Sequence, residues 1–225
     1  MDIEVTLDDL KGKLRTAGNG NRILETADDL LNKVRGKWQP SAAGQWYEFQ
    51  YDTRRDIGRI LTAAGEYHHL NLDHSLTFLK PARLVMAFAY TIGHDMDKIA
   101  EDMTAGGEML KAYILDLIGL AALEKTCRCL TKEAEILAET LGWGVSPFLS
   151  PGSVHGWELE EQNQFCELLP LNEIGVTLGA HSVLSPLKSI AALVGIGPGY
   201  DRVTVGSTCE VCTNRGRCTM AQAIP

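Results

Sequence analysis

The feature that most constrains this chain is a helical pattern spanning 108–141, the longest in the sequence. Leu110, Ile114, Leu117, Ala121 and Leu130 recur along its apolar side. Gly119 lies inside it and predicts a bend, because a mid-helix glycine costs about 1 kcal/mol relative to alanine. Gly106-Gly107 separates this helix from a shorter one opened by Gly93, in which Asp95 and Asp97 occupy the favoured first turn.

The rest of the chain alternates between the two periodicities without a regular rhythm. Residues 6–14 read as a weak helix and 21–38 as a stronger one, with Ile23, Ala27, Leu30, Leu31 and Val34 at helical spacing. Residues 45–51 switch to period two: Tyr47, Phe49 and Tyr51 face one way, and Trp46 breaks the otherwise polar side. Residues 83–91 are apolar throughout and predict a buried strand. A short helix is expected at 73–80 and another over 158–169. Strands are expected at 173–178, at 189–196 and, at an edge, at 202–206, with a loop over 142–156. This mixed order favours an α+β fold with a mostly antiparallel sheet over a doubly wound one. Residues 1–70 are expected to form a helical and strand region packed on a main domain of 71–225.

Charge narrows the function. The 225 residues carry a net charge of −8, which gives no support to sequence-independent nucleic-acid binding. The start Met-Asp-Ile-Glu-Val lacks the basic and apolar segments of a secretory signal. The most apolar long window, 109–123, is interrupted by Lys111 and Asp116, so no membrane helix is expected. A cytoplasmic location follows as the expectation, and there a close cysteine cluster is more often metal-binding or catalytic than disulfide-bonded.

That cluster is Cys209-x2-Cys212-x5-Cys218. Thiolates are soft, charged donors, and a two-residue gap lets two sulfurs reach one metal. Three cysteines fall one short of a closed zinc site. Cys127, Cys129, Cys166, a histidine, a partner chain or an exogenous group are candidates for the fourth position, and an iron–sulfur cluster with one open iron is the other metal reading. A redox thiol pair and unliganded cysteines stay open beside these. His68 and His69 are adjacent on a strand and face opposite sides, so they read as ordinary histidines rather than joint ligands. Cys127 and Cys129 diverge by about 200° on their helix, so at least one is expected to be buried. Gly195-x-Gly197-x-Gly199 is followed by a strand-like Val-Thr-Val, which favours a hairpin turn over a phosphate loop. Glu124 follows an apolar run and reads either as a surface residue or as a carboxylate held for a ligand. The Ser150–Ser153 loop with Pro151-Gly152 is on its own a turn. No nucleophile elbow, Walker loop or His-Glu-x-x-His is present, so no catalytic residue is assigned.

Several stretches in order resemble the activation (reactivation) domain of vitamin B12-dependent methionine synthase, in a compact stand-alone form. They are Phe88-Ala89-Tyr90-Thr91-Ile92-Gly93, the helix around Asp116, Gly119 and Glu124, Ser150-Pro151-Gly152, Gly175-Val176-Thr177-Leu178 and Ser185-Pro186-Leu187-Lys188-Ser189-Ile190. A terminal cysteine cluster such as Cys209, Cys212 and Cys218 also occurs in the stand-alone relatives. The resemblance implies a C-shaped single domain, a twisted antiparallel sheet flanked by helices. In the full-length enzyme this domain binds S-adenosylmethionine and presents its methyl group to an inactive cob(II)alamin. Here the resemblance would place Glu124, Ser150, Pro151, Gly152 and Ser153 at that cofactor. The family's loop arginine and tyrosine are replaced by Phe148 and Ser153, which removes a bidentate partner for the cofactor carboxylate. No corrinoid-binding Asp-x-His-x-x-Gly motif is present, so cobalamin would be carried by a partner, a corrinoid protein or corrinoid methyltransferase. A homodimer stays open.

Overall fold

Strand β4 (Leu84–Thr91) explains the architecture, because both of its faces are buried. Met86, Phe88 and Tyr90 enter one core and Val85, Ala87 and Ala89 the other. Residues pointing alternately into two apolar environments give a continuous apolar run rather than an alternating one. In the computed structural model, which describes residues 1–14, 20–62, 64–212 and 217, β4 is an inner strand of a six-stranded sheet. The partners are β1 (Ser41–Asp52), β2 (Ile57–Leu61), β3 (Tyr67–Leu70), β5 (Gly144–Val145) and β8 (Ser189–Gly197), in the order β3-β2-β1-β4-β8-β5. Every pairing is antiparallel, with Gly44 opposite Phe88 and Phe88 opposite Ala192. The sheet curls, and with its helices it forms one α+β domain, as expected.

One face carries the helices: α1 (Leu7–Lys11), α2 (Gly20–Val34), α3 (Asp95–Ala105) and α4 (Met109–Leu141). α4 buries Ile114, Leu115, Leu117, Ile118, Ala121 and Ala122 in one stripe. It runs uninterrupted through Gly119 and ends where Gly142 adopts a left-handed φ of 69°, with the Trp143 N–H closing onto Ala138 O at 2.8 Å. Gly119 serves close packing instead: a Cβ there would sit 3.0 Å from Lys188 Cε, whose stem crosses the helix. Trp46, which spoiled the polar side of β1 in the sequence, packs against this helical core and donates from Nε1 to Glu133 at 3.2 Å.

The opposite face is covered by irregular chain. It comprises 3-10 turns at Asp73–Phe78, Leu159–Glu161, Leu171–Ile174 and Ala180–Ser182, the short helix α5 (Gln162–Cys166), and the two-residue strands β6 (Thr177–Leu178) and β7 (Leu184–Ser185). The helix expected over 158–169 is thus split, and the strand expected at 173–178 is mostly a turn. No strand forms over 202–206; the carbonyl of Arg202 accepts the Val145 N–H at 2.9 Å. The glycines of 195–199 are not a simple hairpin either. Gly195 and Gly197 lie within β8, where a Cβ on Gly197 would come 2.1 Å from the Pro81 carbonyl oxygen. Among the described residues, no helix is long and apolar enough to cross a membrane.

Candidate functional site

Glu124 is a half-buried residue of α4, on the helical face of the sheet. Its Oε1 receives the Lys13 ammonium at 2.6 Å, with the lysine side chain only 14% and the carboxylate 31% exposed. Lys125 makes a second tie, to Asp9 at 2.9 Å. Burial pushes the Asp9 carboxyl up, but Lys125 and the Thr6 N–H and hydroxyl together outweigh it and hold the group below its ordinary value. α1, through Asp9, and the turn after it, through Lys13, are therefore fastened over α4 by two ion pairs.

Beneath Glu124 lie Tyr90 and Cys127, hydrogen-bonded to each other. Burial above all, then the neighbouring Cys127 and Glu124, drive the Tyr90 phenol well above its usual range. Burial likewise lifts the Cys127 thiol to about 11. Both groups are therefore neutral at physiological pH and neither serves as a nucleophile there.

The loop around Pro151 is tied to the other side of the sheet edge. Phe148 points into the helical core, Leu149 and Val154 into the opposite one. Ser150 Oγ donates to the Ala191 carbonyl at 2.9 Å, and Gly152, at φ 75°, donates its N–H to Trp157 O at 2.8 Å. Pro151 is buried and Ser153 half-buried. Val154 bridges to Cys212, which brings the cysteine tail against this loop. Cys209 and Cys212 are half-buried cysteines one short turn apart, and Cys218 lies outside the described residues. Among the described residues, no group of three His, Cys, Asp or Glu side chains is placed to hold a metal ion. The loop thus meets the tail but not Glu124, which belongs to the other face.

Of the residues expected at S-adenosylmethionine, Glu124 pairs with Lys13, the Ser150 hydroxyl donates to a backbone carbonyl, and Phe148, 4% exposed, packs in the helical core.

A cleft that the sequence did not reveal opens where β4 ends and β1 begins. It measures about 720 Å³ and is lined by Trp38, Gln39, Ser41, Thr91, Gly93, His94, Asp95, Glu173, Gly175 and Pro186, among others. Three of the family-like segments converge there. Thr91 Oγ1 donates to the Lys188 carbonyl at 3.2 Å and accepts from Ser189 Oγ at 2.9 Å and from the Gly93 N–H at 3.1 Å. Lys188 reaches Asp116 on α4 at 2.5 Å, and Asp97 accepts the Leu187 N–H at 2.7 Å. These bonds fix the cleft wall to α3 and α4. A second cleft of about 360 Å³ lies on the loop face beside Asp73, Gly156 and Glu158. Neither cleft is lined by Glu124 or by Ser150–Ser153.

The fold, a curled antiparallel sheet with a helical and an irregular face, defines the class. Among solved structures it is similar to the MetH reactivation domain bound to AdoHcy, with a TM-score of 0.62 and 17% sequence identity, covering 84% of this chain and 70% of that chain. This chain shares the fold of that reactivation domain. No family model matches the chain, and no curated protein matches its sequence.

Proposed function

We propose that this chain is an accessory protein of corrinoid-dependent methyl transfer that supports reductive reactivation of a partner corrinoid protein. The observation that carries this reading is the likeness of fold to the reactivation domain over 84% of the chain. The ordered family-like segments, three of which meet at one cleft, are consistent with it. In this role the chain docks on a protein that carries the cobalamin. Zinc or an iron–sulfur cluster at Cys209, Cys212 and Cys218 would serve that partnership structurally or relay an electron. Metal analysis of anaerobically purified chain tests this: about one equivalent supports it, and traces alone refute it.

A second reading is favoured by one observation, the Lys13–Glu124 ion pair. In it the chain keeps the fold as a binding module and has lost the methyl-donor site. Calorimetric titration with S-adenosylmethionine and AdoHcy separates the two. Saturable binding weakened at least tenfold by Glu124→Gln supports a methyl-donor role. No heat at millimolar ligand leaves the binding-module form, in which the methyl donor is supplied elsewhere.

A further inference from the structure

We draw no further inference here: the strongest candidate, the exposed apolar patch that Met109, Leu110 and Tyr113 form on the first turns of α4, carries nothing, because nothing in the structure shows what covers it.

Discussion

The two faces of the sheet are built from the same strands but covered in different ways. The helical face is closed by repetitive elements whose backbone bonds are internal, so its packing is a matter of side chains. The loop face is closed by 3-10 turns and two-residue strands, and its backbone is held by tertiary partners. Tyr47 Oη donates to the Leu168 carbonyl at 2.8 Å, Gln162 Nε2 to Ser182 O at 2.6 Å, and Tyr200 Oη to Phe78 O at 2.7 Å. Regular elements can be swapped for similar ones; a cover built from such single bonds cannot. The difference also separates the candidate residues: Glu124 sits under α1 on one face, and the Pro151 loop with its cysteine neighbour sits on the other.

If the irregular cover is as well packed as the helical one, equivalent truncations must cost alike. Phe88→Ala on the helical face and Trp157→Ala on the loop face, 2% and 1% exposed, should each lose about 3–5 kcal/mol in denaturant unfolding. A loss below about 1 kcal/mol at Trp157 would show that the loop face is a loose cover and break the comparison. Thiol chemistry samples both faces at once. Burial raises Cys127 on the helical side and Cys166 on the loop side to about 11, whereas Cys129 is exposed. At neutral pH each buried thiol should carry about 100-fold less thiolate than one at the ordinary value, and alkylate far more slowly than Cys129. Their rates should climb as pH approaches 11. Fast alkylation of Cys166 alone would mean that the loop face opens.

Backbone approach gives a smaller, sharper contrast. Gly197→Ala drives a methyl into the Pro81 carbonyl and should cost about 1–3 kcal/mol by thermal melting. Gly175→Ala meets open space and bears only the strain of its φ of 66°, about 1 kcal/mol. Lys13→Met removes the half-buried partner of Glu124 and should cost about 1 kcal/mol, discounted for solvent access. The Asp9 carboxyl is held below its ordinary value by Lys125 and Thr6, so its contribution is present above pH 3.8 and is lost as pH falls through the lowered value. In Asp9→Asn that part of the acid dependence should vanish from a pH series of melting curves.

Which parts were legible in the sequence follows the same division. α4, β4 and β8 announce themselves because burial on regular elements leaves a period or an unbroken apolar run. Residues 158–169 and 173–178 carry apolar residues at plausible spacing, yet they fold as turns. Phe165 is spent on Trp157, 5.1 Å between ring centroids, rather than on a helix face. The strand-like 202–206 segment fails because the Val205 N–H goes to the Glu135 carboxylate, 2.9 Å away, instead of to a neighbouring strand. At the candidate site, Glu124 was visible through family resemblance, but its partner Lys13 lies 111 residues earlier and leaves no local signal. The cleft is assembled from element ends and loops around Trp38, Thr91, Glu173 and Pro186, which lie far apart in the sequence.

The most direct test of the central claim is spectroscopic. A corrinoid protein from the same organism, held anaerobically as cob(II)alamin, is titrated with this chain while its absorption and electron paramagnetic resonance are followed. A saturable spectral change at one chain per corrinoid is predicted. An unchanged cobalt spectrum in a large excess of the chain would contradict the account.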